Sequence, residues 1–154
     1  MTSISTTTTP TATTSTRHIR PFAIAAAIYT ALGLLGGLGY REITRGVDLD
    51  SFTQLSVVHT HLLILGTVLS LIFMILEELY GFARGRLFTA FFWVYNLGVA
   101  LSTVMMTVIG IRQVSGAEHS KALAGISGTG HILITAGFIM FFILLFRAIK
   151  ERSA

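Results

Sequence analysis

Four long apolar segments constrain the fold more than any other feature of this chain. Each reaches the roughly 18–20 residues that a helix needs to cross the hydrocarbon core of a membrane. Only 12% of the residues are charged, about half the usual share in a soluble domain, which leaves too little polar surface for a water-soluble fold. We therefore predict an all-α protein, a four-transmembrane-helix bundle with helices at about 21–40, 54–80, 87–111 and 126–149.

The N-terminal segment has a different composition. Residues 2–16 are nearly all serine and threonine, and such a tract has no apolar surface to bury. We predict a disordered tail over residues 1–20 and one four-helix domain over residues 21–150. The first apolar segment is too long for the core of a signal peptide, so we expect it to be retained as a helix.

The positive charges predict an orientation in the membrane. If the helices alternate in direction, seven basic residues lie on the side of the two termini and four on the other side. Because basic residues favour the cytoplasmic side, we expect a multi-pass protein of the cell membrane with both termini in the cytoplasm. We therefore attribute the net charge of +4 to residues that orient the protein among membrane lipids, and we expect no nucleic-acid partner. The chain has no cysteine, which excludes thiolate metal sites.

Three histidines lie inside the apolar segments. His59 and His61 follow the predicted start of helix 2 by five and seven residues, and His131 follows that of helix 4 by five. All three are thus expected roughly 7–10 Å below the outer ends of their helices. Intramembrane ionisable residues mark functional sites by default, and neutral imidazole is a common metal ligand. The alternative is that each histidine only forms a hydrogen bond to a neighbouring helix.

The spacing of the His59–His61 pair restricts what it can bind. Residues two apart on a helix point about 200° apart, so one ion cannot readily be chelated by both. A haem, which lies between helices and takes one imidazole on each face, fits this arrangement. A single copper or zinc ion would need ligands from several helices. The remaining histidines, His18 and His119, are in polar segments and are expected to be solvated.

Glycine and arginine residues near these histidines are compatible with a bulky planar ligand. Gly125, Gly128, Gly130 and Gly137 flank His131, and their missing side chains would leave room for it. The alternative is a tight crossing of two helices. Arg41 and Arg112, at the outer ends of helices 1 and 3, could pair with haem propionates. Their alternative role is interfacial anchoring.

Several segments resemble one family in their order along the chain. The sequence "GLGYREIT" ends helix 1, and the three segments "TQLSVVHTHLLILG", "VYNLGVALSTVMM" and "ISGTGHILITAG" lie in helices 2, 3 and 4. Together they resemble a family of small four-helix membrane proteins catalogued as domain of unknown function 2871, over about residues 22–148. The resemblance implies a four-helix fold and a membrane location, and it implies no particular activity.

A more distant resemblance concerns helix 2 alone. The segment "VHTHLLILG" is similar to the histidine-bearing helix of haem–copper oxidase subunit I, in which an H-x-H pair ligates two haems. The resemblance implies that His59 and His61 are haem ligands. It does not extend to a copper-containing oxygen-reducing centre, because the chain has no histidine pair for copper and no His-Pro-Glu-Val-Tyr-like segment.

Three functions are compatible with these observations. The first is a haem b protein for electron transfer or diatomic-gas binding, with cofactor-binding residues His59, His61, His131, Arg41 and Arg112. The second is a copper-handling protein that uses the three histidines and Met105 or Met106. The third is an accessory membrane subunit without a cofactor.

No self-contained catalytic motif stands out, and no redox partner is indicated. We expect a homo-oligomer. The comparison with subunit I, in which twelve helices form three arcs of four, favours a trimer.

Overall fold

The four predicted helices are present. The computed structural model describes residues 16–47, 52–117 and 121–153, and within them there is no β-strand. The helices are α1 (Thr16–Ile43), α2 (Leu55–Tyr80), α3 (Gly85–Val114) and α4 (Lys121–Ser153). Each is long and apolar enough to cross a membrane, which confirms the all-α, membrane-protein fold class. Residues 1–15 of the predicted tail lie outside the described residues.

Three of the four helices extend beyond the predicted limits, whereas α2 matches its prediction to within one residue. Helix α1 begins at Thr16 rather than at residue 21, and α4 begins at Lys121 rather than at residue 126. Hydropathy marks only the part of a helix that lies in the hydrocarbon, whereas the backbone hydrogen bonds continue through the polar residues beyond it. The extension of α4 matters for the site, because it changes the distance of His131 from the helix start.

The helices form an open row rather than a closed square. Helix α1 packs on α2, α2 packs on α3, and α3 packs on α4 along most of its length. Helix α4 contacts only the second half of α2, Leu69–Tyr80. Among the described residues the backbone of α1 does not approach that of α4. The row therefore has two free edges, one formed by α1 and the other by α4.

The two ends of the row are packed differently. At the end that carries both termini, phenylalanines from all four helices form one cluster, with ring centroids of Phe73 and Phe141 4.6 Å apart. Towards the other end, close backbone contacts replace the aromatic rings. A Cβ built on Gly98 of α3 would stand 2.8 Å from the backbone nitrogen of Ile134 of α4. We call this second end the histidine end, because it contains His59, His61 and His131.

The middle of α2 departs from α-helical geometry. Leu62–Val68 form a π-helical segment that begins directly after His61. The hydroxyl of Tyr95 on α3 donates a hydrogen bond of 2.7 Å to the carbonyl of Leu65 within this segment, and Gly66 lies directly against the ring of Tyr29. Such segments occur frequently at functional sites. The apolar pattern of the sequence gives no sign of it.

Candidate histidine site

His59 faces α1. A Cβ built on Gly36 or Gly37 would lie 3.9 or 3.8 Å from the Cβ of His59, so these glycines give the imidazole its room. The His59 side chain is half-buried. Its Nδ1 atom is buried and has no hydrogen-bond partner among the described residues, while Nε2 lies 3.4 Å from the hydroxyl of Thr60. A buried polar atom without a partner is costly, which makes His59 Nδ1 a candidate contact for a ligand.

His61 is held by its own helix in one tautomer. Its Nδ1 atom lies 3.0 Å from the carbonyl oxygen of Val57. Because a carbonyl oxygen can only accept a hydrogen bond, Nδ1 carries a proton and donates it, and in the neutral imidazole Nε2 keeps a lone pair. Donation from one ring nitrogen to a backbone carbonyl is the usual way in which a histidine ligand is oriented for metal binding through the other nitrogen.

His131 repeats this arrangement on another helix. Its Nδ1 atom lies 3.3 Å from the carbonyl oxygen of Ser127, so Nδ1 again donates and Nε2 keeps its lone pair. The His131 side chain is exposed. Since α4 is an edge of the row, this imidazole faces away from the interior of the single chain.

His131 lies farther from the start of its helix than predicted. It lies ten residues after Lys121, or about 15 Å along α4. The depths of residues in α2 and α4 can be compared through α3, which contacts both helices. Gly110 of α3 contacts Leu55 of α2, and Ser102 of α3 contacts Gly130 of α4. The eight residues between Gly110 and Ser102 correspond to about 12 Å, and His61 lies about 9 Å beyond Leu55. His61 and His131 are therefore within about one helical turn of each other in depth.

The glycines around His131 fall into two groups. Gly130 and Gly137 pack against Ser102 and Tyr95 of α3, so they serve a tight helix crossing. A Cβ built on Gly125 or Gly128 would meet nothing within 4 Å. Gly128 lies one turn before His131 and is a neighbour of the imidazole on the helix surface. Open space remains there for a flat ligand.

The three histidines do not form one compact metal site within the chain. In the described ranges no three histidine, aspartate or glutamate side chains come close enough to hold an ion together. The Leu55–Val68 part of α2 and helix α4 do not approach each other at the backbone. The three histidines therefore lie apart within the described part of the chain.

Comparison with known protein families places the chain. Residues 19–148, which cover most or all of each of the four helices and the three intramembrane histidines, match the family described as a protein of unknown function, DUF2871. The chain belongs to the DUF2871 family. No curated protein and no solved structure matches it. The chemistry of this DUF2871 protein is therefore inferred from its own side chains.

The remaining predicted site residues of the DUF2871 chain lie at the histidine end. Arg41 is in the last turn of α1 and Arg112 in the last turn of α3, and both side chains are exposed. Met105 and Met106 are buried in the helix packing. His119 and the side chain of His18 lie outside the described residues.

One hydrogen bond between α1 and α3 is not indicated by the sequence. The hydroxyl of Tyr29 on α1 donates to the backbone carbonyl of Asn96 on α3, at 3.2 Å, whereas the Asn96 side chain bonds to Phe92 in its own helix. An asparagine side chain in an apolar segment is typical of a hydrogen bond between helices. In this protein the tyrosine side chain forms that hydrogen bond instead.

Proposed function

We propose that this protein is an integral membrane haem protein, for electron transfer or the binding of a diatomic gas, with histidine ligands at the histidine end of the row. The observation that carries the proposal is the shared tautomer of His61 and His131. In both imidazoles Nδ1 donates to the carbonyl four residues earlier, and Nε2 keeps its lone pair. A haem iron takes such a nitrogen as an axial ligand.

The surroundings of the imidazoles also support a planar cofactor. Among the described residues nothing fills the space at Gly128 beside His131, and the buried Nδ1 of His59 has no partner there. Arg41 and Arg112 are basic residues at the same end. Guanidinium groups at this level suit the propionates of a haem b whose edge faces the membrane surface.

We further propose that the haem site is shared between copies of the chain. The imidazole of His131 is exposed on the free edge formed by α4, and a polar group facing lipid is costly. Small residues such as Gly125 and Gly128, at which an added Cβ would meet no other described residue within 4 Å, are typical of contacts between membrane helices. A second copy would supply the opposite ligand, and three rows of four helices would close a homotrimer.

The proposed orientation follows from the distribution of charge. The end with both termini contains seven basic residues and the histidine end contains four. We therefore place the termini in the cytoplasm and the haem near the outer surface of the cell membrane. A redox partner would approach the haem edge from that outer side.

Copper handling is the second candidate. It is favoured by the buried Nδ1 of His59, which has no hydrogen-bond partner in the described part of the chain, since copper accepts imidazole ligands. The burial of Met105 and Met106 in helix packing speaks against their use as ligands. Metal content separates the two functions, because the haem site contains iron and the alternative site contains copper.

Native mass spectrometry in a mild detergent tests the shared haem site. We expect an oligomer that carries added mass equal to haem, with three chains as the preferred number. A haem-loaded monomer would contradict the shared site.

Coexpression of two variants that each fail to bind haem provides a sharper control. In an oligomer that mixes the His61→Ala and His131→Ala chains, some interfaces join an intact His61 to an intact His131. A shared site therefore predicts partial recovery of haem when the two variants are coexpressed. A site within one chain predicts no recovery, and that result would overturn the proposed sharing.

A further inference from the structure

A second site is present at the opposite end of the row. The loop between α2 and α3, the first turn of α3 and the last turns of α4 enclose a cavity of about 350 Å³. Three arginines line it, Arg84, Arg86 and Arg147, against one acid, Glu151. The lining therefore carries a net charge of +2, three positive charges less one negative charge.

The loop that carries Arg84 is fixed by the fold. Gly81 and Gly85 adopt φ angles of 66° and 71°, a left-handed conformation that glycine adopts without strain. Between them, the backbone nitrogen of Ala83 donates a 2.6 Å hydrogen bond to the buried carboxylate of Glu77. Phe82 is buried in the phenylalanine cluster. These contacts fix the backbone that carries Arg84, which lines the cavity together with Arg147 of α4.

The rest of the lining is apolar. Phe82, Leu87, Leu144 and Ala148 form the walls beside the arginines. The volume is about ten times the ≈30 Å³ of a liquid water molecule, which accommodates a phosphate with its glycerol. Free phosphate would leave the apolar walls uncovered, whereas a phospholipid would place its chains along them.

We propose that this cavity binds the headgroup of an anionic membrane phospholipid. The guanidinium groups pair with phosphate oxygens, for which arginine has the matching planar geometry. Basic cavities between transmembrane helices are established binding places for anionic headgroups. The site is independent of the haem proposal, because it lies at the other end of the helices and uses none of the histidines.

The full chain, stripped of lipid in detergent, is titrated with phosphatidylglycerol, phosphatidylcholine or inorganic phosphate. We expect phosphatidylglycerol to bind at least about tenfold more tightly than either of the others, since each arginine near the headgroup adds electrostatic affinity. Arg84→Gln together with Arg147→Gln should weaken phosphatidylglycerol binding by about tenfold. The matched control, Lys150→Gln, removes a charge from the same end but outside the cavity lining, and should change binding by less than about twofold.

Equal binding of phosphatidylglycerol and phosphatidylcholine to the unmodified protein would overturn the proposal, as would phosphate binding as tightly as phosphatidylglycerol. An equal loss in the double variant and in Lys150→Gln would also overturn it. If the double variant does not fold, two other measurements decide the question. They are the lipid comparison on the unmodified protein and the binding measured for the conservative Arg147→Lys variant. Arg147→Lys keeps the charge but loses the bidentate contact, so we expect weakened binding.

Discussion

Membranes that contain the His61→Ala or the His131→Ala variant are expected to lose the Soret band that we predict for the unmodified protein. Each substitution removes an imidazole whose Nε2 lone pair is left available by the Nδ1 hydrogen bond. Loss of residues that merely orient a metal ligand costs 10–100-fold in affinity, so loss of a ligand itself should lower the haem content at least about tenfold. Absorption near the Soret maximum, normalised to the amount of protein, measures the effect.

The other histidines complete this experiment. His59→Ala is expected to lower the haem content as well, because His59 lies two residues from His61 and its Nδ1 is buried without a partner among the described residues. His18→Ala and His119→Ala are the controls and should leave the spectrum unchanged. If the His59, His61 and His131 variants all keep the parental band, haem ligation by these residues is wrong.

A second large effect is expected from two glycine variants that separate folding from haem binding. In Gly98→Leu, the new Cβ would stand 2.8 Å from the backbone nitrogen of Ile134 and force α3 away from α4. Overpacking of this kind typically costs about 1–3 kcal/mol, and contact with backbone places this case at or above the upper value. In Gly128→Leu the new Cβ meets nothing within 4 Å, so the fold should keep its stability. The leucine would nevertheless occupy the space beside His131, and haem content should fall.

Unfolding by a denaturing detergent, followed by circular dichroism, measures the stability of both glycine variants. Unchanged stability of Gly98→Leu would contradict the tight contact between α3 and α4. Full haem content in Gly128→Leu would contradict the placement of the planar ligand next to His131, without affecting the description of the fold. The two results are independent, because one concerns the packed face of a helix and the other an open face.

The fold class was predictable because it depends on a coarse property of the sequence. Four apolar segments of sufficient length leave few alternatives to four membrane helices. The row arrangement was not predictable, since α1 and α4 are as apolar as the helices between them. Glycine spacing did not decide it either. The face that carries Gly33 and Gly37 contacts α2, whereas Gly125 and Gly128 have nothing near them.

The candidate histidines could be named from the sequence, whereas their geometry could be predicted only in part. The H-x-H spacing indicates two opposite directions, and His59 indeed faces α1. The prediction of equal distances from the helix ends was wrong for His131, because the polar residues before residue 126 continue the helix back to Lys121. The π-helical segment after His61 was also missed. It changes the number of residues per turn without any change in hydropathy.

The visible absorption spectrum of the purified, unmodified protein in detergent, recorded oxidised and after chemical reduction, tests the central claim most directly. The account predicts a Soret band in both states and sharper bands at longer wavelength on reduction, together with iron in a fixed ratio to the chain. A colourless protein that contains copper would favour the second candidate function. A colourless protein without bound metal, prepared from cells that make haem, would contradict the account.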